Sequence, residues 1–358
     1  MVQSTPVYFD RNENRYGPAP ACLQVLREAE GELLFNYSRA FQRGYYSELS
    51  ARLAADHGID EKRIILGYGC EDILKEAVHH FLPAGRVVLI PSASWWYYHA
   101  IAAEVSGVTV EYPLMPVRSR YEYDVEALLR LRGTADPALV LLASPNNPTG
   151  NSLRREDLRR LLEAYRGVPF VLDQAYHGFA PDGPDDYSSL TEEFGDLLVL
   201  RTFSKLYALA GARIGYAMCG HGMGEFQRFC ARNLGYSRLS ERLAVAALDS
   251  HDYYSGVAAG MFRSRQKLYN LFRSFDGCEI YESDANFVLV KMPPQMTVLL
   301  ERELAERGLI VKFLKEPGFT DHARISLGNE EETDHLIATI RSLVARPAVQ
   351  VQARGEFA

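Results

Sequence analysis

Cysteine is sparse in this sequence of 358 residues: five, at 22, 70, 219, 230 and 278, none of them in a C-x-x-C pair. That spacing offers no zinc site and no disulfide framework, and it suits a reducing, cytoplasmic setting. Positive charge is not in excess either. Lys and Arg number 39 against 46 Asp and Glu, a net charge of −7 without a basic stripe, so nucleic acid is not an expected partner. The opening segment MVQSTPVYFDRNEN lacks the apolar core of a signal peptide, and no stretch is long and apolar enough to span a membrane. No G-x-G-x-x-G opens a helix after the first candidate strand, and G-x-x-x-x-G-K-[ST] does not occur. These absences remove the nicotinamide and P-loop readings. No internal repeat is visible.

What is present is an ordinary globular composition, 47% hydrophobic and 24% charged, sufficient for a large core or two domains. Short apolar runs alternate with helical patterns through the middle of the chain. Candidate strands are 63–66, 86–90, 108–112, 139–143, 169–173, 197–201 and 214–218. Several are apolar on both faces, as strands covered by helices on two sides must be. Between them, 71–81 places Ile73, Leu74, Ala77, Val78 and Phe81 on one helical face, and 154–165 is a second helix. The alternation predicts an α/β fold with a mostly parallel sheet between helices. The C-terminal third differs. A helix over 297–307 stops at Gly308, strands follow at 309–313 and 323–327, and Asn329 with Glu332 marks the N-cap of a last helix. The expected division is a large domain over 45–245 and a small α+β domain built from 1–44 and 246–358. Residues 1–44 show no sheet pattern, and the tail after Arg346 is expected to fray.

Four features fall at or near the C-terminal ends of candidate strands, where open α/β sheets hold ligands. Gly67-Tyr68-Gly69-Cys70-Glu71-Asp72 joins a strand to a helix; alone it is a tight turn, but it also presents a helix N-terminus to an anion. Ser144-Pro145-Asn146-Asn147-Pro148-Thr149-Gly150 is a rigid turn that holds Asn147 toward the crevice. Asp173 ends an apolar strand, where a carboxylate serves either as a helix N-cap or as the partner of a cation such as a protonated pyridine nitrogen. Lys205 follows Thr202-Phe203-Ser204, and Arg213 lies eight residues on. Most lysines are exposed, but one just past a buried strand is desolvated and has a freed, nucleophilic amine. Thr202, Ser204 and Arg213 add hydroxyls and a guanidinium suited to a phosphate. Together these are the parts of a pyridoxal-5'-phosphate (PLP) site.

With RNENRYGPAP, NYS at 36–38, GYGCEDIL, ASPNNPTG, DQAY, RTFSKLYALAGARIGY, SDANFVLV and ARISLG in this order, the sequence resembles the fold type I PLP-dependent aminotransferases of class I/II, in their histidinol-phosphate aminotransferase-like branch. The resemblance spans nearly the whole chain. It implies that Lys205 carries the cofactor as a Schiff base and later moves the proton. It also implies that Asp173 keeps the pyridine nitrogen protonated and that Asn147 and Tyr176 donate to the ring oxygen. Gly69, Cys70, Glu71, Thr202, Ser204 and Arg213 then hold the phosphate, with Tyr37 reaching it from the other subunit of a homodimer. Trp95 stacks on the ring, with Trp96 the alternative. Arg324 grips the substrate carboxylate, and Lys312, Tyr16 and Asn147 complete the substrate side. Lys312 stands where these enzymes carry an arginine, and Arg15 follows the N-E-N triplet where many carry proline, which gives a basic entrance.

The implied function is transfer of an amino group between an L-amino acid, or an amino-alcohol phosphate such as histidinol phosphate, and a 2-oxo acid. A decarboxylase, oxidase or cyclase of amino-acid biosynthesis using the same cofactor is the alternative. A catalytically dead binding domain is opposed by the intact cofactor set and by the lack of an attached DNA-binding helix pair.

Overall fold

The computed structural model describes residues 5–38, 46–180 and 186–345. The chain opens on β1 (Val7–Phe9) and continues through β2 (Ile64–Gly67), β3 (Val87–Pro91) and β4 (Val108–Tyr112). A hairpin, β5 (Leu114–Val117) and β6 (Arg120–Tyr123), precedes β7 (Pro137–Ala143), β8 (Phe170–Asp173), β9 (Leu197–Thr202) and β10 (Gly215–Cys219). After a helix at His251–Arg273 come β11 (Glu279–Tyr281), β12 (Phe287–Lys291), β13 (Leu309–Phe313) and β14 (His322–Ser326).

The seven strands expected from apolar runs all form, and they make one sheet in the order β2-β10-β9-β8-β7-β3-β4. Only β10 runs against its neighbours. Apart from the edge strand β4, the runs lack alternation because both faces are covered. In β9, Leu197 and Val199 enter one apolar core while Leu198 and Leu200 enter another. Each such side chain contributes about 1.5–3 kcal/mol when fully buried. The register aligns Ala143 with Asp173 and Gly215 with both Thr202 and Gly67. The strand ends therefore form one edge, and the loops leaving it converge.

The second sheet, β1-β13-β14-β12-β11, has its own core of residues such as Phe287, Val288, Leu336 and Ile340. The N-terminal segment does contribute a strand to it: β1 pairs parallel with β13. A strand of three residues is too short to show a two-residue period. The same segment also reaches the first sheet's side, where Cys22 in the helix Pro20–Arg27 donates from Sγ to the Leu243 carbonyl at 3.5 Å. The tail after Arg346 lies outside the described residues.

The last helix, Glu330–Val344, begins with the expected cap: Asn329 Oδ1 accepts from the Glu332 N–H at 2.9 Å, and Glu332 returns a carboxylate to the Asn329 N–H at 3.3 Å. The Asn329→Ala variant is expected to lose about 1 kcal/mol of stability, read as a lower urea midpoint at unchanged secondary structure.

Candidate active site

The converging loops enclose a cavity of about 310 Å³. It is lined by Gly69, Cys70, Glu71, Trp95, Asn147, Asp173, Tyr176, Thr202, Ser204, Lys205, Arg213 and Arg324, all expected from the sequence, and by Asp10, Arg11, Asn12 and Tyr98, which were not.

Its floor is the end of the first sheet. Asp173 closes β8 and is buried; Oδ2 accepts from the Tyr98 hydroxyl at 2.9 Å and Oδ1 from the Ala175 N–H at 2.9 Å. Both donors are neutral, and burial raises the carboxyl above its ordinary range. A cation placed beside it would reverse that shift. Lys205, three residues past β9, donates from Nζ to the Arg11 carbonyl at 3.1 Å. Burial, together with the Arg324 cation, pushes this amine down from 10.5 to about 8.

One wall is an anion cradle. The helix Cys70–Phe81 starts beside the cavity with no side-chain cap, so its first N–H groups are free for a ligand. Two glycines make the close approach work. Gly69 has φ +87°, and a Cβ there would lie 2.8 Å from Arg213 Nη2. A Cβ on Gly215 would lie 2.4 Å from the Cys70 nitrogen. Thr202 and Ser204 hydroxyls lie 3.0 Å apart, and Arg213 reaches across to the Tyr68 carbonyl at 3.1 Å and faces Glu71 at 3.7 Å. Cys70 has a thiol pushed well up by burial, so it remains protonated and contributes its backbone N–H.

The opposite wall comes from the second sheet and the N-terminal segment. Arg324 in β14 donates from Nη1 to Asn147 Oδ1 at 2.6 Å and from Nη2 to the Asp10 carbonyl. Both acceptors are neutral, and its Nε is buried without a partner. Beyond Arg324 a second cavity of about 600 Å³ opens, lined by Lys312, Trp96, His99, Glu111, Glu316 and Phe319 and sharing Trp95, Asn147 and Arg324 with the first. Trp95 thus faces both cavities, while Trp96 lines only the outer one and is 63% exposed.

Two expected residues stand elsewhere. Tyr16 lines neither cavity, because its ring packs against Gly260 of the long helix. Arg15 does not make the entrance basic: Glu332 neutralises it across an ion pair of 2.8 Å. Tyr37, expected to act on the other subunit's site, lies outside this protomer's cavity and is 69% exposed. Of the four lining residues that the motifs did not point to, Tyr98 and Asn12 bring side chains to Asp173 and Tyr176. Tyr98 lies three residues past Trp95 and Asn12 opens the N-E-N triplet, so each was visible without its role.

A freed amine near pH 8 has a direct consequence. Labelling of Lys205 in the cofactor-free protein by an aldehyde and borohydride is expected to rise with pH through about 8, well below the midpoint of an ordinary lysine at about 10.4. Peptide mapping across a pH series reads this; a midpoint near 10 would contradict it.

The chain has clear relatives. The family described as "Aminotransferase class I and II" matches residues 5–340. The chain is 33% identical over 338 residues to histidinol-phosphate aminotransferase 2 of Archaeoglobus fulgidus, covering 94% of this chain and 93% of the relative. It is 33% identical over 337 residues to histidinol-phosphate aminotransferase 2 of Methylococcus capsulatus, covering 92% and 88%. The crystal structure of histidinol-phosphate aminotransferase from Sinorhizobium meliloti in complex with pyridoxal-5'-phosphate superposes with a TM-score of 0.85 at 28% identity, covering 95% and 92%. With its cradle, buried carboxylate and lysine at one sheet edge, the chain belongs to the class I and II aminotransferases.

Proposed function

We propose that this aminotransferase holds PLP on Lys205 and moves an amino group between an L-amino acid, or an amino-alcohol phosphate such as histidinol phosphate, and a 2-oxo acid. The observation that carries the reading is one cavity containing a desolvated amine, a buried carboxylate with only neutral donors, and an arginine with only neutral acceptors.

The donor set fits the cofactor group by group. The N-terminus at Cys70, with Thr202, Ser204 and Arg213, suits the phosphate. Asp173 suits the protonated ring nitrogen, Asn147 and Tyr176 the ring oxygen, and Trp95 the ring face. When bound, PLP supplies the electron sink that makes the substrate Cα–H acidic. The protein's own groups do the rest. Asp173, raised by burial, gains a positive partner and stays ionised. The Lys205 amine, lowered to about 8, accepts and returns a proton near neutral pH. Arg324 exchanges the Asp10 carbonyl and Asn147 amide oxygen for an anion of the substrate, which forms stronger, charge-assisted bonds.

In the outer cavity, which also carries Glu111 and Glu316, the corner between Lys312 and Arg324 suits a further negative group of the substrate. Lys312 and Arg324 are directly opposed across β13 and β14, and both line that cavity. Like charges opposite one another destabilise a ladder, and an anion between them removes the repulsion. A phosphate-bearing or acidic donor or acceptor supplies one.

The same reading includes a cytoplasmic homodimer with shared sites and a division into domains over 45–245 and over 1–44 with 246–358. In its support, Leu34, Phe35 and Tyr37 are 78%, 74% and 69% exposed on one short stretch, an apolar segment that a second copy would cover. All five cysteines are free, and among the described residues no helix is long and apolar enough to cross a membrane.

Lys205→Ala is expected to lower kcat by roughly 10²–10⁴-fold while the cofactor still binds. Single half-reactions followed by the cofactor's absorbance, with histidinol phosphate, aromatic amino acids and arginine as donors, test this. Carbon dioxide release or oxygen uptake in place of amino transfer would overturn it. Lys312→Ala is expected to raise KM for histidinol phosphate about tenfold, a loss of about 1.4 kcal/mol, with a smaller effect on donors lacking a second anion.

A further inference from the structure

Asn12 meets the Tyr176 hydroxyl, and every polar atom of this residue is committed. It is 1% exposed and held at φ +56°, a left-handed conformation that asparagine tolerates better than most residues. Its N–H donates to Ser326 Oγ at 2.8 Å, and its carbonyl accepts from Asn286 Nδ2 at 2.9 Å. Its side chain lies between Ser326 Oγ at 3.0 Å and the Tyr176 hydroxyl at 2.9 Å.

A count of protons fixes which way the amide faces. Ser326 is 1% exposed and already accepts the Asn12 N–H, so its own hydroxyl proton needs an acceptor. Asn12 Oδ1 is the acceptor within reach. With the amide reversed, that serine proton would be buried without a partner, at a cost of about 1–3 kcal/mol. So Oδ1 faces Ser326 and the NH₂ group faces Tyr176. The phenol oxygen then receives a hydrogen bond from Asn12, and among the described residues no group accepts the phenol proton. It points into the cavity.

We infer that Asn12 is a positioning residue that makes Tyr176 a one-way hydrogen-bond donor to the cofactor's ring oxygen. The inference rests on the reading above that Tyr176 faces that oxygen. Its chemical effect follows from charge. A donor on the ring oxygen weakens that oxygen's hold on the proton of the neighbouring Lys205-linked nitrogen, so the nitrogen releases its proton at lower pH. Asn12, held by Ser326 and Asn286, thus tunes the lysine linkage through Tyr176.

The test is the pH midpoint of the visible absorbance of the PLP-loaded protein. Tyr176→Phe removes the donor and is expected to raise the midpoint by about one unit, a tenfold change in the proton equilibrium. Asn12→Asp keeps the shape and the Ser326 contact but offers only an acceptor, so the phenol proton turns away from the cavity and the midpoint rises similarly. The double variant Asn12→Asp with Tyr176→Phe separates this from a direct effect of the new charge: it matches Tyr176→Phe alone if Asn12 acts through the phenol, and a further rise overturns the inference. Ser326→Ala, a neutral change that frees the amide to reverse, is expected to shift the midpoint in the same direction by less, and it decides the matter if the aspartate variant does not fold. An unmoved midpoint in both Asn12→Asp and Ser326→Ala, with Tyr176→Phe shifted, overturns the inference. An unmoved midpoint in Tyr176→Phe overturns the placement of Tyr176 itself.

Discussion

Three charged groups, Lys205, Asp173 and Arg324, are drawn out of bulk water into one crevice without forming an ion pair among themselves. Each is held by neutral partners: a carbonyl for the lysine, a hydroxyl and an N–H for the aspartate, an amide oxygen and a carbonyl for the arginine. Desolvation moves each of them toward its uncharged form. Such an arrangement costs stability in the empty protein and becomes favourable when a ligand supplies opposite charges at matching places. A zwitterionic ring bearing a phosphate, followed by a substrate bearing an anion, meets that requirement. The rest of the molecule can be understood as the scaffold that prevents these groups from collapsing onto one another.

The scaffold works by dividing the labour between two sheets. The first is buried on both faces, and its strand ends are fixed by register, so Asp173, Thr202 and Gly215 cannot shift independently. The second brings Arg324 and Lys312 on adjacent strands. Residues 10–12 join the two. Their carbonyls and side chains meet Lys205, Arg324 and Tyr176 within three positions of chain, immediately after β1 has tied the segment into the second sheet. A short segment with no regular structure thereby senses both walls of the cavity.

This division also explains what the sequence disclosed. The strands of the first sheet were legible because burial on two faces writes itself as continuous apolar runs, and Asp173 and Lys205 stood out as charges at the ends of such runs. The Asn329 cap was legible because capping is local. What failed to show depends on partners distant in sequence. Arg15 read as a free cation until Glu332, 317 positions away, came to it. Tyr16 read as a site residue, yet the bare surface at Gly260 draws its ring into the long helix. Tyr98 carried no signal of its own: it is a core aromatic of 1% exposure, and only the carboxylate at the end of β8 gives its hydroxyl a role. Nothing in the local pattern could have said which asparagine of the N-E-N triplet turns toward Tyr176, because the choice is made by Ser326 and Asn286.

The separation of walls bears on specificity. The groups that face the outer cavity, among them Lys312, Trp96, the His99–Glu111 pair and Phe319, lie on elements that carry neither Lys205 nor Asp173. Exchanging one of them alters which side chain a donor can present without disturbing the register that fixes the cofactor's partners. Lysine in place of arginine at 312 is such an exchange. It keeps a charge opposite Arg324 but gives up the planar fork that would bind a phosphate through two parallel bonds. A compact ammonium group accepts an anion from more directions and holds none in a single orientation. The outer wall, which also carries Glu111 and Glu316, therefore constrains the geometry of an anion less than a second fork would, and Arg324 is the group whose fork is already aligned there, by Asn147 and the Asp10 carbonyl.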